Sequence, residues 1–76
     1  MLNVLKKAFW VPYEPADVYP TVQKAHQAIA AYCEKNGLSC TFPGDDEVLI
    51  DEKLYEIYRG YEIGSRGNYG VKCREK

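Results

Sequence analysis

Seventy-six residues (8.7 kDa) supply enough chain for one small domain, and two would each have too few residues for a core of their own. Ten Lys and Arg against eleven Asp and Glu leave a net charge of −1, which argues against a generally basic nucleic-acid binder and against a wholly acidic DNA mimic. A domain of this length buries roughly 60% of the surface its unfolded chain exposes, so every large apolar side chain is assigned to the core first.

Residues 1–19 read as an N-terminal arm and a proline-rich connector. Leu2, Val4, Leu5, Phe9 and Trp10 fit either a short helix, with Leu2, Leu5 and Phe9 on one face, or a strand joining a sheet edge. Met1 to Tyr13 holds no long apolar run, because Lys6 and Lys7 interrupt it, and no small-residue cleavage site follows; neither a membrane segment nor a leader is expected. Pro12, Pro15 and Pro20 each remove a backbone donor and push the residue before them toward extended geometry, so Val11 to Tyr19 is expected to be an extended connector.

Residues 20–36 read as a helix. Val22, Ala25, Ile29, Tyr32 and Cys33 recur at three and four residues, and Ala25, Ala28, Ala30 and Ala31 add intrinsic propensity. Pro20 suits the first turn, and Asn36-Gly37 supplies a left-handed stop with Leu38 placed to fold back on the last turn.

Residues 38–76 read as a β-meander. Leu38 to Phe42 is a short strand, Pro43 to Asp46 a turn, and Glu47 to Asp51 a second strand with Val48 and Ile50 on one face. Tyr55, Ile57, Tyr61 and Ile63 then alternate with Leu54, Glu56, Tyr58 and Glu62, and Gly60 is expected to mark a bulge or bend. Gly64 to Asn68 is a hairpin turn, and Tyr69 to Arg74 a last strand with Tyr69, Val71 and Cys73 opposite Lys72 and Arg74. Ile50, Leu54, Ile57, Tyr58 and Tyr61 also fit a helical stripe over 46–59. Strands are preferred because Val, Ile and Tyr dominate and a helix would leave Val48, Leu49 and Tyr55 poorly placed. The expected fold is α+β, one amphipathic helix packed on an antiparallel β-meander of three to four strands, within a single domain spanning 1–76.

The ligand-type residues His26, Cys33, Cys40 and Cys73 offer the right atoms for zinc, but no Cys-x-x-Cys pair fixes two ligands on one turn, so no metal or other cofactor is expected. Three cysteines do not form the dense framework of a secreted scaffold and read as reduced thiols of a cytoplasmic protein. Cys73 as a nucleophile would have Lys72 and Arg74 on the opposite face of its strand and no assignable base. Asp45, Asp46, Asp51 and Glu52 read as turn acids, and no catalytic set emerges.

Two surfaces remain. Seven Tyr, Trp10 and two Phe are more aromatic surface than one small core encloses, which favours a protein-binding face around Trp10 and Tyr58, with Arg59 adjacent in sequence to Tyr58 but on the other face of the strand. Against the acidic stretch from Asp45 to Glu62, the tail is basic: Lys72, Arg74 and Lys76 recur at alternate positions and Arg66 stands at the hairpin tip, so a nucleic-acid-binding ribbon with Tyr58 or Tyr69 as stacking platform is the alternative. Pro12-Tyr13-Glu14-Pro15 has the form of a PxxP ligand but reads as a stiff connector. The sequence therefore points to a non-enzymatic domain that binds a macromolecule, a protein before a nucleic acid, as a regulator or inhibitor. Trp10, Tyr58, Arg59, Arg66, Lys72 and Arg74 are the expected contacts, and self-association through the aromatic face is open.

Overall fold

The computed structural model describes residues 8–61 and 67–76. One helix, α1 (Val22–Lys35), packs on a five-stranded sheet formed by β1 (Ala8–Val11), β2 (Cys40–Gly44), β3 (Glu47–Ile50), β4 (Lys53–Tyr61) and β5 (Tyr69–Glu75). Every neighbouring pair is antiparallel, in the order β1-β5-β4-β3-β2. The class matches the sequence reading, and the strand count exceeds it because residues 8–11 form an edge strand on β5, Phe9 opposite Cys73 and Val11 opposite Val71. Leu2, Val4 and Leu5 lie outside the described residues. Since β1 and β2 are the two edges, the chain between them must cross the whole sheet, and α1 makes that crossing on one face.

The helix boundaries follow from caps. The Thr21 hydroxyl accepts the Lys24 N–H at 3.2 Å, so Pro20 precedes the cap instead of occupying the first turn, and its ring is fully buried. At the other end Gly37 takes φ +69°, the Leu38 N–H reaches the Cys33 carbonyl at 2.8 Å and the Gly37 N–H the Glu34 carbonyl at 3.3 Å. This double closure satisfies two of the orphan carbonyls, and Leu38 folds back on the core.

Residues 46–59 form no helix; they are divided between β3 and β4. Between these strands Asp51 and Glu52 both take positive φ (48° and 71°), the backbone of a tight two-residue hairpin turn. The Asp51 carboxylate accepts the Ser39 N–H at 3.1 Å, which ties this turn to the start of β2. Pairing runs in step through Gly60, opposite Gly70, so the expected bulge is absent there; the register shifts instead between Thr41 and Gly44, where Pro43 interrupts β2. The connector is not extended either. The Val18 N–H bonds to the Pro15 carbonyl at 3.1 Å, and the Tyr13 hydroxyl donates to the Val18 carbonyl at 2.7 Å. The Ala16 carbonyl accepts the Tyr69 N–H at 2.7 Å, which holds this folded loop against β5.

Ala25, Ile29 and Cys33 line the buried stripe of α1 and meet Val48, Ile57, Val71 and Cys73 of the sheet in one cluster, edged by Phe9, Tyr32 and Phe42. Among the described residues no helix is long and apolar enough to cross a membrane.

Two substitutions should move stability in opposite directions in urea titrations. Thr21→Ala, which frees the Lys24 N–H, is expected to cost about 1 kcal/mol. Glu52→Gly, which relieves a side chain at φ 71°, is expected to gain about 1 kcal/mol.

Candidate functional site

Strand alternation makes β5 two-sided: Val71 and Cys73 are fully buried under the helix, and Lys72 and Arg74 point to the face that α1 leaves uncovered. Register then assembles a cross-strand row on that face, since Lys72 lies opposite Trp10 on one side and opposite Tyr58 on the other. Trp10 and Tyr58 meet edge to face, with ring centroids 6.1 Å apart and planes at 83°. The Lys72 ammonium stands 5.5 Å from the Trp10 ring centroid, within cation–π range. One step along, Arg74 lies opposite Glu56. Trp10, Glu56, Tyr58, Tyr61, Lys72 and Arg74 line a shallow pocket of about 390 Å³.

Gly60 fixes the Tyr58 ring. A Cβ at Gly60 would stand 2.6 Å from the Tyr58 hydroxyl oxygen, so the ring lies over the glycine, and its hydroxyl donates to the Tyr61 carbonyl at 3.2 Å. The glycine read as a break is a seat for an aromatic ring.

Of the six expected contacts, Trp10, Tyr58, Lys72 and Arg74 come together here. Arg59 does not: it projects to the helix side, where Nε donates to the Asp46 carboxylate at 2.9 Å and Nη1 to the Pro20 carbonyl at 3.2 Å. The hydrogen bond to Asp46 raises its pKa further, and its guanidinium ties the helix entry to the β2–β3 turn. Arg66 lies outside the described residues, with Glu62, Ile63 and the rest of the expected hairpin turn before Gly67. Lys76, the third cation of the supposed ribbon, is held 2.7 Å from Glu47.

The four ligand-type residues do not converge on one point. The His26 ring stacks on Phe42 at 4.0 Å and its Nε2 is 2.8 Å from the Asp45 carbonyl oxygen. The thiols gather instead in the core. Burial pushes Cys33 up to about 12, with a hydrogen bond to Cys40 adding, and burial likewise pushes Cys73 up to about 12, reinforced by the other two thiols. A thiol held protonated is a poor nucleophile.

A second aromatic group escaped the sequence reading. Tyr61 stacks on Tyr69 at 4.7 Å, and Tyr19 meets Tyr69 edge to face at 5.4 Å while its hydroxyl donates to the Arg59 carbonyl. Pairing of Tyr61 with Tyr69 was implicit in the hairpin, but the position of Tyr19 depends on how the connector folds.

No protein-family model, curated protein or solved structure matches the chain.

The buried thiols set a pH response. Cys33 and Cys73 stay protonated in the folded chain up to about 12, and ionise from about pH 9 once exposed by unfolding. The folded state therefore holds more protons across that window, so stability falls as pH rises through it. The urea midpoint is expected to stay flat between about pH 6 and pH 8 and to drop steadily above about pH 9. A midpoint that rose above pH 9 would contradict the burial of these thiols.

Proposed function

We propose that this chain is a non-enzymatic binding domain that docks a partner protein on the uncovered face of its sheet and acts as a regulator or inhibitor. The observation that carries the reading is the content of the pocket over β4 and β5, where two aromatic rings and two cations share a face that α1 leaves bare. Tyr58 is 47% exposed although its ring is seated over Gly60, so an anchor of the residue type that dominates interfaces is available to a partner with its orientation already restricted. Lys72 and Arg74 against Glu56 are a small footprint for a phosphate backbone, which favours protein over nucleic acid. Three unpaired cysteines suit a reducing compartment, so a cytoplasmic location belongs to the same reading.

The test is capture with tagged protein followed by affinity measurements on the identified partner. Tyr58→Ala and Trp10→Ala are expected to weaken binding by about 2 kcal/mol, roughly thirtyfold, and Lys24→Ala on the solvent face of α1 to leave it unchanged. Binding indifferent to both aromatic substitutions sinks the reading, as does a tight complex with nucleic acid that dissolves steeply with salt.

A further inference from the structure

We infer that the partner segment seated on this face is acidic, with a carboxylate held between the Lys72 ammonium and the Arg74 guanidinium; the inference rests on the docking reading above and names the chemistry of what docks.

The ion pairs among the described residues leave out Lys72 and Arg74 on this face, as they leave out Lys24 and Lys35 on the helix. Asp46 is joined to Arg59, Glu47 to Lys76 and Glu75 to Lys53. Among the described residues no carboxylate stands within ion-pair distance of Lys72 or Arg74. Both belong to β5 at alternate positions, so they point the same way and stand about 7 Å apart along the strand. That separation lets one carboxylate, or two neighbouring ones, bridge an ammonium and a planar guanidinium fork.

The aromatic wall decides the sign of the ligand. A cation would be drawn to the Trp10 ring face, but the Lys72 ammonium already occupies it at 5.5 Å. An incoming ammonium would meet like charge from Lys72 and from Arg74. An incoming carboxylate meets two cations against the single carboxylate of Glu56, and the half-buried position of Lys72 beside two rings shields that attraction from water. On a chain whose net charge is −1, the spot is a local reversal of sign, which orients an acidic segment toward this face and away from the rest. A polyphosphate backbone would need a longer run of cations than two, and Glu56 in the floor of the pocket opposes it.

The experiment uses the full chain, labelled with nitrogen-15, and three probes: a ten-residue peptide of alternating Glu and Leu, its Gln–Leu analogue, and a ten-nucleotide single-stranded oligothymidylate. The readout is displacement of the Trp10 indole N–H and of the backbone N–H signals of Tyr58, Lys72 and Arg74. The Glu–Leu peptide is expected to shift these signals with a dissociation constant of about 1 mM or tighter, the Gln–Leu analogue to bind at least about fivefold more weakly, and the gap to narrow as salt is raised. In Lys72→Gln/Arg74→Gln, whose unchanged remaining spectrum reports an intact fold, the two peptides should become equivalent. Equal binding of both peptides to the parent chain overturns the inference and leaves protein docking standing. Shifts from neither peptide at about 1 mM also overturn it, and tighter binding of the oligothymidylate overturns it together with the protein reading.

Discussion

Burial of Ala25, Ile29 and Cys33 against Val48, Ile57, Val71 and Cys73 is the contact on which the other features depend. The helix side of that contact is made of small and medium side chains, so a fourteen-residue helix can lie close to the sheet and seal it without large rings. The seal covers one face alone. Among the described residues there is no second helix to cover the other face. An exposed aromatic–cationic pocket is therefore a consequence of how the core is closed.

The same economy explains Arg59. Its guanidinium reaches Asp46 on one side and the Pro20 carbonyl on the other, joining the approach to the helix, the β2–β3 turn and β4 at the point where the core runs out. An exposed ion pair contributes little by itself, but this side chain also satisfies a carbonyl just ahead of the helix cap, at a site where Pro20 is fully buried. The Arg59 side chain thus ties three segments together on the helix side of the sheet.

What was legible in the sequence divides along the range of the interactions. The helix and its stop depend on neighbours within four or five residues, and Thr21, Gly37 and Leu38 fill the roles their types suit, with α1 beginning two positions after the expected start. The strands after Leu38 were legible because Val48, Ile50, Tyr55 and Ile57 alternate, and each lies on the buried side. The edge strand at Ala8–Val11 was undecided because its four residues acquire strand geometry only by pairing with Lys72 and its neighbours, some sixty positions on. Gly60 was misread for a related reason: a glycine in a strand marks either a break or a close approach, and only the Tyr58 ring lying over it settles which. The connector is closed by local bonds among Tyr13, Pro15 and Val18, and its docking on the sheet depends on the bond between Ala16 and Tyr69, which no local pattern encodes. For the candidate site, the residue types were visible but their grouping was not. Trp10, Lys72 and Tyr58 become one row through the register of three strands, and the same register sends Arg59 to the opposite side.

The strand β5 links the two halves of this molecule, because its alternate residues build the core and the pocket on the same backbone. Val71 and Cys73 anchor it under the helix, and pairing with β1 on one side and β4 on the other fixes the direction in which Lys72 and Arg74 project. A site carried on a strand paired along both edges loses less freedom on docking than one carried on a loop. The two walls differ in this respect. Tyr58 is held by its seat on Gly60 and its bond to the Tyr61 carbonyl, in the long strand β4. Trp10 stands on a four-residue strand at the edge of the sheet, paired on one side only. The pocket thus has one wall on a strand paired along both edges and one on a strand paired along a single edge, with the ammonium of Lys72 between them and the core beneath β5 anchoring all three.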